Sequence, residues 1–245
     1  MTSSTVARRV EHCMGTVFSF DVRTPGFDTT VLDDAVDILQ DIDARFSTFR
    51  DDSEVSRLAA GTLRISECSE DVQWVLRRCA ELTAETDGYF SAYAGGALDP
   101  SGLVKGWAIE QASDLLCMAG STSHCVNGGG DVQCVGWAGP DTPWRVGVSH
   151  PLRRGELATV VTGTDLAVAT SGSAERGAHV VDPHTRRAPG ALASVTLIGR
   201  HLSDVDAYAT AAFAMDDAAR GWLESLDGFR AFVVQADGAT WSTGF

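Results

Sequence analysis

The 245-residue chain has no apolar run long enough to span a bilayer, and its polar first ten residues hold no signal-like apolar stretch. No membrane span is expected, and the chain reads as cytoplasmic. It is poor in positive charge: 19 Lys and Arg stand against 33 Asp and Glu, a formal net charge of −14. No basic cluster exceeds short pairs such as Arg8-Arg9 and Arg153-Arg154, which argues against nucleic acid as a partner. A polyanionic ligand must then be held by backbone amides, a few placed cations and a metal. The six cysteines (Cys13, Cys68, Cys79, Cys117, Cys125, Cys134) include no C-x-x-C pair and often occupy apolar positions, so buried free thiols are expected over disulfides or zinc ligands. There is no G-x-G-x-x-G after a strand, no G-x-x-x-x-G-K-[ST], no G-x-S-x-G and no H-E-x-x-H. These absences set aside ordinary Rossmann, P-loop, hydrolase and zincin readings. Nothing marks a linker, so residues 1–245 read as one domain.

Hydrophobic periodicity organises the chain. Met14 to Val22 alternates and predicts a strand ended by Pro25-Gly26. Val31, Ala35, Ile38, Leu39, Ile42 and Phe46 follow helical spacing within 28–46. A second helix is expected from an N-cap at Ser69 to a stop at Asp87-Gly88, and a third from near Lys105 to Gly120. Short β-rich runs follow at 131–137, 144–149, 157–162, 166–170 and 195–199. A helix is expected over 204–226, then a hairpin of 229–235 with 239–245 across Asp237-Gly238. Helices early and strands late predict an α+β fold, helices packed on a mainly antiparallel sheet.

Against that frame, glycine-bracketed polar clusters stand out: Met14-Gly15-Thr16, Ser53-Glu54, the 101–106 segment ending in Lys105-Gly106, Asn127 to Asp131, Thr170-Ser171-Gly172, and His179 to Pro183. Glycine lets backbone amides approach a ligand, and a loop ending at a helix start suits an anion. Gly128 to Gly130 is equally a tight strand connection, and a lone lysine such as Lys105 is usually a surface one. His179 is suited to proton transfer near neutral pH or to a half-buried hydrogen-bonded role. Asp206 and Thr210, four residues apart on a helix, present two hard oxygens to one point, as magnesium prefers. Ser203 with Asp206 also reads as a capping box, and on local grounds the cap is favoured.

These clusters, in this order and with Phe46 to Arg50, Thr86 to Phe90, Asp99 to Glu110 and Asp206 to Thr210, make the chain resemble the ApbE family over nearly its whole length. That family comprises flavin transferases that move FMN from FAD to a Thr or Ser hydroxyl of an acceptor protein. The resemblance implies a single ApbE-like, T-fold-like domain, FAD as substrate, Mg²⁺ as cofactor and a flavin-acceptor protein as partner. It implies Asp206 and Thr210 as metal ligands, with a backbone carbonyl near Leu103 or Val104, and His179 as base. It places Met14, Gly15, Thr16, Phe49, Ser53, Tyr89, Asp99, Lys105, Gly128, Gly129, Asp131, Thr170, Ser171 and Gly172 around FAD, with Met14, Phe49 and Tyr89 as candidates for the isoalloxazine ring. The chain departs from the family pattern at Ala59, Ser91-Ala92, Glu110 and Arg186-Arg187. An FAD pyrophosphatase yielding FMN and AMP, or a non-catalytic FAD-binding protein, are the competing expectations.

Overall fold

The computed structural model of the chain describes residues 6–173 and 180–244. Strands β1 (Ala7–Cys13) and β2 (Thr16–Val22) form a hairpin whose tight turn places Met14 and Gly15 at φ 52° and 69°. Positive φ at both central residues is the twist-compatible hairpin geometry, so the glycine here is required. On β2 the alternation buries Phe18, Phe20 and Val22, as expected. β1 lies outside the sequence expectations because, as an edge strand exposed on most of its length, it carries no apolar alternation.

Helices α1 (Val31–Phe46), α2 (Glu54–Ala59), α3 (Glu70–Glu85) and α4 (Ser101–Met118) follow. The Ser69 hydroxyl accepts the Val72 N–H and caps α3 as expected, and Asp87 and Gly88 end it at positive φ. α4 begins one turn earlier than the spacing suggested. The Asp99 carboxylate accepts the Ser101 N–H, and the Pro100 carbonyl accepts from Leu103 and Val104, so the helix starts at the proline.

β3 (His124–Gly128), β4 (Asp131–Val135), β5 (Trp144–Ser149), β6 (Leu157–Gly163), β7 (Leu166–Gly172) and β8 (Leu192–Gly199) alternate with turns before α5 (Leu202–Met215) and α6 (Ala219–Ser225). The expected single helix over 204–226 is thus two. Asp216 sits at φ 51° between them, and its carboxylate takes the backbone N–H groups of Gly190, Ala191 and Leu192 at 2.8–3.1 Å. Satisfying three amides at the entrance to β8 wins over helical continuity. The hairpin β9 (Arg230–Gln235) and β10 (Thr240–Thr243) closes the described chain.

Eight strands form one antiparallel sheet in the order β1-β2-β3-β4-β7-β8-β9-β10, and β5-β6 pair separately. The helices cover one face. On the other, Trp144, Val146, Val148 and Val161 of the β5-β6 hairpin meet Val132, Cys134, Val168 and Ile198. β8 is buried at every position because it is covered on both faces. Helix α5 is lined by Ala207, Ala209, Ala211, Ala212 and Ala214, whose small side chains let it lie against α4, β7 and β8 together. No helix among the described residues is long and apolar enough to cross a membrane. All six cysteines are free. Cys13, Cys68, Cys79 and Cys134 are buried, Cys125 is partly covered, and Cys117 is exposed on the last turn of α4.

His124 at the start of β3 is fully buried, hydrogen-bonded through both ring nitrogens to the Ser113 and Ser121 hydroxyls at 2.8 and 2.9 Å. Burial lowers its pKa from 6.5 to about 4. The unfolded chain therefore takes up a proton that the folded chain refuses, and this part of the stability is complete above pH 6.5 and lost as pH falls toward 4. Urea unfolding at pH 7.5 and pH 5 should show a pH-dependent loss about 2 kcal/mol larger in wild type than in His124→Asn. Equal losses would refute the assignment.

Candidate active site

The site begins where α4 crosses α5. A Cβ on Gly106 would lie 2.6 Å from the Leu202 carbonyl oxygen and 2.7 Å from Asp206 Cβ, so only glycine permits the approach. At that distance the Gly106 N–H donates to Asp206 Oδ2 at 3.0 Å. Asp206, 2% exposed, is thereby held by a partner helix. The capping box favoured on local grounds is not formed. Ser203 lies inside α5, and the free N–H at the helix start is taken by Glu110 of α4, whose Oε2 accepts the Ser203 N–H at 3.0 Å while Oε1 meets His201 Nδ1 at 2.8 Å. With Glu110 capping α5 across the helix pair, Asp206 has other work.

One residue before Gly106, Lys105 is the only lysine in the chain. Its ammonium is ion-paired with Asp131 Oδ2 and lies 3.8 Å from Asp206 Oδ1. Asp131, at the start of β4 and 1% exposed, also accepts the Thr170 N–H of β7 through Oδ1 at 3.1 Å. Each carboxylate therefore has one oxygen on a backbone amide and the other toward the same ammonium. This is how two acids tolerate burial. One turn along α5, Thr210 Oγ1 shares a hydrogen bond with Ser171 Oγ at 3.2 Å, and Thr170 Oγ1 another with Thr196 Oγ1 at 2.9 Å.

Beside these groups lies a cavity of about 310 Å³. Its walls include Lys105, Asp206, Thr210, Thr170, Ser171, Gly172, Asp99 and Gly102, with Tyr89 and Phe90 on another side and Val180 and Val181 closing it. Thr86 shapes the aromatic wall. Fully buried, its hydroxyl donates to the Leu82 carbonyl at 2.7 Å and accepts the Phe90 N–H at 2.9 Å, fixing the turn through Asp87 and Gly88. Outside that wall His184 packs edge-on to Tyr89, centroids 4.6 Å apart, and bonds the Asp87 carbonyl at 3.0 Å. The Asp182 carboxylate organises the turn that carries His184, accepting the His184 N–H and the Thr185 hydroxyl.

Of the expected site residues, the cavity thus gathers Tyr89, Asp99, Lys105, Thr170, Ser171, Gly172, Asp206 and Thr210. Asp131 lies behind Lys105 and does not line it. Gly129, at φ 61°, packs on Thr16, so Met14, Gly15, Thr16, Gly128 and Gly129 form a neighbouring pair of strand turns outside the lining. Ser53 is buried as the N-cap of α2, donating to the Ser47 carbonyl. Phe49 is 97% exposed on the preceding loop. Val104 is buried in α4 away from the lining. His179 lies outside the described residues. Thr86, fully buried, and Glu110, partly buried, escaped sequence reasoning as positioning groups, because each acts on backbone amides that only the folded chain brings to it.

No three His, Cys, Asp or Glu side chains among the described residues converge as an all-protein metal cage. One carboxylate and one hydroxyl facing a cavity instead match the hard-oxygen, part-substrate coordination of Mg²⁺.

The ApbE family model matches residues 14–96 and 91–233 of the chain. The FAD:protein FMN transferase of Rhodobacter capsulatus is 28% identical over 203 residues, covering 79% of this chain and 36% of that protein. The FAD:protein FMN transferase of Vibrio cholerae is 27% identical over 130 residues, covering 49% of this chain and 39% of that protein. These matches span under two fifths of each relative's length. The crystal structure of the ApbE protein from Thermotoga maritima has the same fold, with a TM-score of 0.89 at 20% identity over 98% of this chain and 97% of that one.

Thr86→Val keeps the shape of the side chain and strands the Phe90 N–H without its buried acceptor. Unfolding free energy should fall by about 1–3 kcal/mol in urea titration. A change under roughly 0.5 kcal/mol would show that the turn does not depend on this hydroxyl.

Proposed function

The chain belongs to the ApbE family, and on that premise we propose that it is an Mg²⁺-dependent FAD:protein FMN transferase, which attaches FMN to a Thr or Ser hydroxyl of an acceptor protein and releases AMP. The observation that carries this reading is the convergence of Asp206, Thr210 and Lys105 in one cavity beside Thr170 to Gly172. In a chain of net charge −14, that wall concentrates amides, hydroxyls and the sole lysine where a pyrophosphate has to be held.

Asp206 Oδ1 and Thr210 Oγ1 are the side-chain oxygens that would hold the metal, since Asp206 Oδ2 is committed to the Gly106 amide. When bound, Mg²⁺ would offset the negative charge of the pyrophosphate as AMP departs. Lys105 supplies a second, mobile positive charge to the same phosphates. The Ser171 hydroxyl orients Thr210 through their shared hydrogen bond. In the transfer, the acceptor hydroxyl oxygen bonds to the FMN-side phosphorus as the bond to the AMP oxygen breaks, and the hydroxyl proton leaves to a base. We assign that base to His179, which precedes Val180 and Val181 on the cavity wall. Tyr89, whose ring packs against His184, is an aromatic surface available to the flavin inside the cavity, next to Phe90.

Incubation with FAD, MgCl₂ and a threonine-bearing acceptor should yield AMP and a fluorescent flavinylated product, both measurable by mass spectrometry. Asp206→Asn and Thr210→Val should each lower the rate by roughly 100-fold or more while the thermal midpoint stays within a few degrees. Absence of AMP above a no-enzyme control across several acceptors would defeat the proposal. AMP formed equally well without any acceptor would make the protein a pyrophosphatase instead.

A further inference from the structure

The proposed metal site poses a problem that the geometry also answers. An ammonium 3.8 Å from Asp206 Oδ1 competes with any cation for that oxygen. Lys105 has four flexible methylenes with which to reach either of two buried carboxylates. What decides the choice is Asp131. Its carboxylate is oriented by the Thr170 N–H on Oδ1, so that Oδ2 faces the ammonium and forms the closer ion pair. Asp131 does not line the cavity, whereas Lys105 does, so the acid acts from behind the lysine.

We propose that Asp131 is a positioning residue: as the nearer partner it draws the Lys105 ammonium toward itself, which weakens the competition with Mg²⁺ for Asp206, and it presents that ammonium to the cavity for the substrate phosphates. The proposal rests on the transferase reading for the identity of the metal and the phosphates. Two features of the chain support it. The buried cluster of Asp131, Lys105 and Asp206 carries a net charge of −1, which a dication at Asp206 converts to +1, a suitable partner for a pyrophosphate. And the two acids are held by different elements, Asp131 by β7 and Asp206 by α4, so the metal end of the cluster is built separately from the lysine end.

The test is Mg²⁺ binding without FAD, measured by calorimetry on the full chain. Asp131→Asn keeps an oxygen for the Thr170 N–H and removes the charge, so the ammonium moves to Asp206 and the Mg²⁺ dissociation constant should rise at least tenfold. Adding Lys105→Met to Asp131→Asn returns the cluster to its original net charge and removes the competitor, and should restore the constant to within about threefold of wild type. Deleting the partner would not rescue a merely structural role, so a double variant as weak as Asp131→Asn overturns the proposal. So does unchanged affinity in Asp131→Asn.

Because Lys105 is the only lysine, ¹⁵N-lysine labelling gives a single side-chain ammonium resonance. That resonance should stay in place in Asp206→Asn and shift in Asp131→Asn. The reverse pattern would place the lysine on Asp206 and refute the assignment even where the double variant does not fold. These readouts are separate from FAD cleavage, so a chain that fails to release AMP and still shows the rescue retains the positioning role and loses the transferase reading.

Discussion

The close crossing of α4 over α5 is the constraint on which the rest of the site depends. Gly106 has no Cβ to hold the helices apart, so its amide reaches Asp206 and the carboxylate can be buried with a hydrogen bond in place of water. Any larger residue at 106 would push Leu202 and Asp206 outward together. The alanine-rich face of α5 serves the same end, letting the helix sit on β7 and β8 so that Thr210 comes level with Ser171. The cavity is therefore a product of backbone proximity, and its chemical groups follow from where the backbones meet.

Charge is the second economy of the molecule. An excess of 14 negative charges leaves few places where an anion is welcome, and the cluster around Lys105 concentrates the favourable groups in one of them. A lysine suits this position better than an arginine. Its charge is compact and its three donors rotate, so it can serve a carboxylate and a phosphate in turn, whereas a guanidinium commits to one planar fork. The other basic residues are arginines, and many are engaged on the surface, as Arg78 is with Glu81, Glu85 and Asp204 across α3 and α5. Those pairs brace helices, whereas the lysine faces the cavity.

Much of the fold was legible because its elements obey one local rule each. The alternation of β2, the Ser69 cap and the Asp237-Gly238 hairpin needed only their own residues, and the structure contains them. The failures share a cause, which is that a distant segment decided the matter. The start of α5 is capped by Glu110, some ninety residues away, so the nearby Ser203 and Asp206 looked like a capping box and were not one. The end of α5 is set by the amides before β8, which claim Asp216. β1 is a strand only because β2 pairs with it. The site shows the same division. Asp206, Thr210 and Lys105 were legible as oxygens and a cation near glycines, whereas the distinction between lining the cavity and standing behind it, which separates Lys105 from Asp131, exists only once β4, β7 and α4 are in place.

That distinction returns to the register of β4. Its residues alternate, with Val132 and Cys134 packing under the β5-β6 hairpin and Asp131 facing the helices to meet Lys105. Successive strand residues point to opposite faces, so a slip by one position would bring Val132 beneath the ammonium and drive Asp131 into an apolar layer built around Trp144 and Val146. The apolar layer on the far side of the sheet thus does more than stabilise. By making the slipped arrangement costly, it fixes which side of the sheet carries the charge, and the packing of a hairpin that touches none of the cavity holds the chemistry in register.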